Sequence, residues 1–255
     1  MSATILILGG TAQARELAHA LAEKRPDLNL LSAIAGLTRS PPKIPGQLFV
    51  GALGGAPGLA DFIRRHDIQM LIDATHPFAA TISQNAVHAC DATATQRLRL
   101  DRPAWVLPRT ANIRRVADFT AAADLVAGTS NSTFLAIGHK NLGAFRAVQG
   151  VHFLVRLLDP ETADAVTGPL KNCTVICARP PFRQADEEAL LRHHDIDTLV
   201  SKDSGGTATR AKIDAALKLD LRIVLVRRPP PPPGDTVNSI EAALKWLDEK
   251  PFSAP

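Results

Sequence analysis

Three stretches of the chain combine residue types and spacings that can bind anions or move protons. In Gly9-Gly10-Thr11-Ala12-Gln13-Ala14, two glycines follow an apolar run and precede a pattern that puts Ala14, Leu17, Ala18 and Leu21 on one helical face. A dinucleotide pyrophosphate placed there would meet free backbone N–H groups and the positive end of a helix dipole. The dinucleotide fingerprint is matched only in part, because Thr11 and Ala14 stand where its second and third glycines would be. A tight turn that needs glycine but holds no ligand is the other reading. Further on, Gly36-Leu37-Thr38-Arg39-Ser40 offers a basic residue and two hydroxyls where a NAD-binding domain would carry an acid. Thr38, Arg39 and Ser40 therefore fit a 2′-phosphate and favour NADP.

The second stretch, Asp73-Ala74-Thr75-His76-Pro77-Phe78-Ala79, reads as a strand end, a polar turn and a helix opening at Pro77. Ala74, Thr75 and His76 would line the cofactor's ribose and nicotinamide, with His76 a candidate general acid. Helix capping by Thr75 and His76 is the alternative. The third stretch, Ser201-Lys202-Asp203-Ser204-Gly205-Gly206-Thr207, follows an apolar strand and opens a pattern bearing Lys212. Lys202, Ser204, Gly205 and Lys212 read as an anion receptor. Lys140 in Gly138-His139-Lys140-Asn141-Leu142 and Arg179 in Ala178-Arg179-Pro180-Pro181-Phe182 occupy similar positions after strands. Loops are polar anyway, which is the competing explanation for each.

The elements that must position these loops are runs of Val, Ile and Leu alternating with helical patterns, the mark of parallel sheet with crossover helices. Strands are expected at residues 4–8, 29–35, 47–50, 69–73 and 104–107, then at 133–137, 152–155, 174–177, 198–201 and 222–226. Helices are expected over 12–24, 59–66, 77–98, 185–194, 207–219 and 239–248. The simplest architecture is α/β, with two doubly wound parallel-sheet domains divided near residues 108–115: an N-terminal NADP-binding domain, 1–110, and a C-terminal domain, 111–255. The run Pro229 to Pro233 reads as a stiff spacer before the last helix.

Composition narrows the function. The 255 residues are 45% hydrophobic with a net charge of +4, enough for packed cores and too little charge for a nucleic-acid binder; with aromatics at 4%, stacking platforms for single strands are missing too. The chain has no tyrosine, which excludes the Tyr/Lys proton-donor pair of short-chain dehydrogenases. Cys90, Cys173 and Cys177 lack metal-ligand spacing, so no metal is expected. No apolar stretch reaches membrane-spanning length, and the first strand runs straight into its glycine turn without a basic leader, so the expected location is the cytoplasm. No heptad or apolar stripe points to an oligomeric state.

Taken together, Ile5-Leu6-Ile7-Leu8-Gly9-Gly10-Thr11, the segment from Asp73 to Ala79, the Gly138 to Leu142 loop and Ser201-Lys202-Asp203-Ser204-Gly205-Gly206 resemble the precorrin-6A reductase family of cobalamin biosynthesis, in order and across essentially the whole chain. The resemblance implies two Rossmann-like domains with a macrocycle between them. It also implies an NADPH-dependent reductase adding hydride and a proton across one double bond of a ring-contracted, polycarboxylate tetrapyrrole. Gly9, Gly10, Thr11, Ala12, Gln13 and Ala14 would then hold the pyrophosphate, Thr38, Arg39 and Ser40 the 2′-phosphate, and Lys140, Arg179, Lys202, Ser204 and Gly205 the substrate's acid groups. His76 and Asp203 are the candidate proton donors, with water a third. The alternatives are a cobalt-precorrin-6A reductase, another NADP-dependent reductase, a methyltransferase, which Arg39 argues against, and a non-catalytic dinucleotide sensor.

Overall fold

A computed structural model of the chain describes residues 2–36, 43–109, 112–158, 170 and 172–250. The chain divides into two compact units, one made of Met1–Pro103 with Pro229–Pro255 and the other of Ala104–Arg228. Thr38, Arg39 and Ser40 lie outside the described residues.

The first unit is built on β1 (Thr4–Leu8), β2 (Asn29–Ile34), β3 (Gln47–Val50), β4 (Ile68–Asp73), β5 (Gln96–Leu100) and β12 (Asp235–Val237), all parallel and ordered β12-β5-β4-β1-β2-β3. Both faces are covered, so its central strands are apolar along most of their length. In β1, Ile5 and Ile7 face a cluster with Leu17 and Leu21 of α1 (Ala12–Lys24) and Leu244 and Leu247 of α7 (Ile240–Glu249). Leu6 and Leu8 face the opposite cluster with Leu59 and Phe62 of α2 (Gly55–Arg65) and Ala86 and Cys90 of α3 (Ala80–Thr93). Alternation along a strand thus feeds two helix layers from one run. Burial pushes the Cys90 thiol up to about 12, so it packs as a small apolar group.

The second unit repeats the plan with β6 (Ile113–Val116), β7 (Ser132–Ala136), β8 (His152–Leu157), β9 (Cys173–Cys177), β10 (Thr198–Lys202) and β11 (Arg222–Val226), parallel and ordered β6-β11-β10-β7-β8-β9. One face packs against α5 (Gln184–His193) and α6 (Ala211–Lys218), with Phe134, Leu199, Leu191 and Ile213 at its centre. Helix α4 (Phe119–Ala127) opens on Asp118, whose carboxylate accepts the Ala121 N–H at 2.9 Å, and a 3₁₀ helix spans His139–Phe145.

Three expectations are corrected. The helix expected to run to residue 98 ends at Thr93, where Ala94 turns left-handed at φ 51°, and residues 96–100 form β5 in place of the strand expected at 104–107. The helix expected from Pro77 opens at Ala80. Residues from Pro229 onward belong to the first unit, not to a C-terminal domain of 111–255: β12 pairs with β5 through Asp235, Thr236 and Val237, and α7 buries Ala243, Leu244 and Leu247 beside α1. The last strand and helix complete the first sheet, while β6, just after the first sheet's fifth strand, completes the second.

A chain cut after Arg228 should therefore lose the first unit's cooperative unfolding. It forfeits two buried leucines worth about 1.5–3 kcal/mol each, with the smaller Ala243, a sum that reaches the lower end of a whole domain's stability. The cut also removes Trp246, leaving Trp105 as a fluorescence reporter of the second unit. Amide exchange should show residues 4–100 unprotected while the Trp105 signal still unfolds cooperatively; protection of β1 and β4 in the shortened chain would contradict this.

Candidate functional site

In each sheet the strand order reverses once, between β1 and β4 and between β7 and β10. At such a point the two following loops turn to opposite faces and a crevice opens at the carboxyl ends of the strands. The loops that follow these four strands are the Gly9 loop, the Asp73 to Ala79 segment, the Gly138 loop and the Lys202 to Gly206 loop.

In the first unit the Gly9 N–H bonds to the Ala33 carbonyl at 2.9 Å, and a Cβ on Gly9 would stand 3.4 Å from that of Ala14, so helix and strand pack tightly here. Gly10 has φ +99°, a conformation L side chains rarely adopt. Thr11 caps α1: its hydroxyl accepts the Ala14 N–H at 3.0 Å and donates to the Ala74 carbonyl at 2.9 Å. The residue that breaks the glycine fingerprint thus ties together the two loops at the reversal point. Helix geometry leaves the Ala12 and Gln13 N–H groups without intrahelical acceptors, at the positive end of the dipole.

Beneath the neighbouring loop lies a buried charge network. Asp73, wholly buried, accepts the Thr75 N–H at 3.1 Å and the Thr75 hydroxyl at 2.7 Å on one carboxylate oxygen, and Arg99 at 2.5 Å on the other. Arg99 also donates to Ser83 of α3 at 2.8 Å. Removing either member of such a pair strands the other and costs about 3–5 kcal/mol. Thr75, expected to line the cofactor, is turned inward by this network. His76 is half-buried, and its Nδ1 accepts the Phe78 N–H at 3.1 Å, so the neutral ring carries its proton on Nε2. Pro77 and Phe78 form a turn closed by the Ala79 N–H on the His76 carbonyl.

In the second unit Lys202 crosses from the end of β10 toward the Gly138 loop. Its Nζ lies 4.0 Å from where a Cβ on Gly138 would stand, and Gly138 has φ +77°. Burial lowers the Lys202 pKa, and the neighbouring Lys140 lowers it further. Two basic side chains near one another at strand ends are suited to an anion. Asp203 is 7% exposed; its carboxylate lies 3.6 Å from Arg115, and its carbonyl accepts Arg228 at 2.7 Å. Ser204 is buried, with its hydroxyl directed to the Lys202 carbonyl at 3.4 Å, and Gly205 turns at φ +64°. Arg179 is exposed after β9, the edge strand, away from the β7/β10 reversal.

Lys212 departs from its expected role. It is 6% exposed, donates to the Thr209 carbonyl at 2.9 Å and lies 5.4 Å from the centre of the Trp105 ring, so it belongs beneath the loop and not in the anion receptor. Helix α6 begins at Ala211, beyond residues 204–206, so the expected helix N-terminus is not what these residues present. Burial pushes the Lys212 amine down to about 7. Sequence reasoning missed Arg99, Ser83, Arg115, Arg228 and Trp105; the one available signal was an arginine flanked by two leucines, Leu98-Arg99-Leu100.

Comparison with known proteins gives a consistent result. A family model described as precorrin-6x reductase CbiJ/CobK matches residues 4–248. A precorrin-6A reductase of Rhodococcus erythropolis is 42% identical over 244 residues, covering 95% of this chain and 96% of that protein. A cobalt-precorrin-6A reductase of Priestia megaterium is 28% identical over 256 residues, covering 95% and 97%. A solved structure titled CobK precorrin-6A reductase superposes with a TM-score of 0.88 at 35% identity, covering 97% of this chain and 96% of that one.

The depressed Lys212 pKa has a sign that can be tested. Unfolded, the amine binds its proton up to about pH 10.4; folded, it releases it near pH 7. The unfolded state therefore binds more protons across that interval, and stability should rise with pH from 7 toward 9, by on the order of a few kcal/mol. Urea unfolding at pH 7, 8 and 9 checks this, and Lys212→Met should flatten the slope.

Proposed function

The chain belongs to the precorrin-6x reductase family and reduces precorrin-6A in cobalamin biosynthesis; on that premise we propose that NADPH is the reductant, held by the first unit, and that the strand-end cations of the second unit hold the substrate's carboxylates. The observation that carries the reading is the approach of Lys202 and Lys140 around Gly138 at a strand-order reversal. The carboxylates of a polycarboxylate macrocycle are anions suited to such a pair of cations. The higher identity to precorrin-6A reductases than to the cobalt-precorrin relative favours the cobalt-free substrate.

The first unit's residues fit the cofactor. Gly9 admits close approach, Gly10 supplies the turn, and Ala12 and Gln13 present N–H groups to the pyrophosphate, while Thr11 holds the Ala74 to His76 segment beside them. Thr38, Arg39 and Ser40 receive the 2′-phosphate. When bound, NADPH supplies a hydride. The accompanying proton, added to the other carbon of the reduced double bond, comes from His76 as imidazolium: its half-buried ring takes up a proton as the Phe78 N–H leaves Nδ1 and gives one to the carbon, whereas Asp203 is nearly enclosed and faces Arg115. Lys202 and Lys140 anchor the acid side chains, and Arg179 adds a cation at the sheet's edge.

Two measurements test this assignment. Arg39→Ala should weaken NADPH binding by about tenfold or more and NADH binding hardly at all, because a lone phosphate contact is lost; equal losses would remove Arg39 from the site. His76→Asn should lower kcat by about a hundredfold at little change in KM, whereas Asp203→Asn should leave kcat within a few fold. The opposite pattern would make Asp203 the donor.

A further inference from the structure

Under two of the second unit's strand-end loops, three charged side chains are buried in a row. Arg156, the fifth residue of β8, lays its guanidinium between the rings of Phe134 and Phe182, 4.8 and 4.2 Å from their centres. It pairs with both carboxylate oxygens of Glu187 in the first turn of α5, at 3.0 and 2.8 Å, with side-chain exposures of 9% and 2%. Beyond Glu187 lies Lys212 of α6, on which Glu187 and Arg156 act with opposite sign. Lys212 in turn sits beside Trp105, whose indole N–H donates to the Gly206 carbonyl at 2.7 Å.

Such an arrangement is a poor way to stabilise a core. Two basic side chains act on one carboxylate, of which only Arg156 is in contact with it, and the Arg156 Nε finds no acceptor among the described residues. Apolar side chains of similar volume would serve folding as well or better. What the row does is visible at its two ends. Phe182 belongs to the loop at residues 178–183 that carries Arg179. The other end holds the loop at residues 204–209 twice, through Trp105 on Gly206 and through Lys212 on Thr209. The positive-φ glycines Gly205 and Gly206 give that loop little rigidity of its own.

We propose that Arg156, Glu187 and Lys212, closed off by Phe182 and Trp105, are positioning residues that set the spacing between the 178–183 and 204–209 loops, and so fit them to the carboxylates of the tetrapyrrole. This rests on the assignment of those loops to the substrate. The row touches no reacting atom; its effect is on how well the substrate is gripped, and belongs in KM.

The test is steady-state kinetics with precorrin-6A and NADPH, together with NADPH affinity from fluorescence and urea unfolding at pH 7. Lys212→Met should be at least as stable as the parent, yet raise KM for precorrin-6A about tenfold, with kcat changed less than about threefold and NADPH affinity unchanged. Lys212→Arg, which keeps a cation over Trp105, should recover part of the loss. Phe182→Leu should raise KM similarly, and the double variant should be little worse than either single, because both act through one row. Should Lys212→Met not fold, Trp105→Phe, which deletes the bond to Gly206, carries the same expectation. A folded Lys212→Met with parental KM, or strictly additive effects in the double variant, overturns the proposal. Lys202→Ala separates the two assignments: a raised KM there beside a parental KM in Lys212→Met removes the row's role alone, whereas a parental KM in both removes the loops from the substrate site.

Discussion

A parallel sheet covered by helices on both faces can meet a ligand only at its strand ends, and a crevice opens there only where neighbouring strands send their chains in opposite directions. The candidate side chains at the two reversal points follow from that constraint. The two sheets have the same order of strands about their reversal points, and in both the two loops at the reversal carry the groups suited to anions or protons: the glycine turn and His76 in one, Gly138 with Lys140 and Lys202 in the other. Arg179 lies outside this pattern because β9 is an edge strand, and it reaches the pattern only through what is packed beneath it.

Both units place buried charge directly under these loops. Asp73 and Arg99 hold the Thr75 turn from below, and the Arg156, Glu187 and Lys212 row underlies residues 178–183 and 204–209. Burying ions costs several kcal/mol each before any is regained by pairing, so such networks give little net stability. They do give geometry. A carboxylate with all its acceptor sites engaged permits one arrangement of the groups around it, and short polar loops that lack an apolar core of their own need that restraint. The Thr75 turn is held by hydrogen bonds to its own backbone and side chain, the 178–183 loop by Phe182 laid against Arg156, and the 204–209 loop by hydrogen bonds from Trp105 and Lys212.

The strands that alternate between two helix layers were legible because a doubly covered strand is apolar on both faces along most of its length, as Ile5, Leu6, Ile7 and Leu8 are. The short strands were not. Ile113-Arg114-Arg115-Val116 and Asp235-Thr236-Val237 lie at sheet edges, with few apolar positions to mark them. The segment that ends α3 and enters β5 has alanines and threonines compatible with a continuing helix, and only the left-handed turn at Ala94 breaks it. The loops at the reversal points were recognisable as glycine and lysine after apolar runs. Which hydroxyls and amines face outward was not: Thr75, Ser204 and Lys212 are all turned inward, to the Asp73 carboxylate and to the Lys202 and Thr209 carbonyls.

By itself the sequence determined the two parallel sheets, the loops that follow their central strands, the lack of a tyrosine proton donor and the resemblance that named a reductase of a polycarboxylate macrocycle. These depend on local periodicity and on residue types. Only the tertiary structure decided that β12 and the last helix complete the first sheet while β6 completes the second, because an amphipathic helix or a three-residue strand carries no record of which sheet it covers. It also decided that Thr11 is a bridge and Lys212 a buried anchor. Hydrogen-bond partners 63 residues apart, as Thr11 and Ala74 are, meet only once both strands are in register.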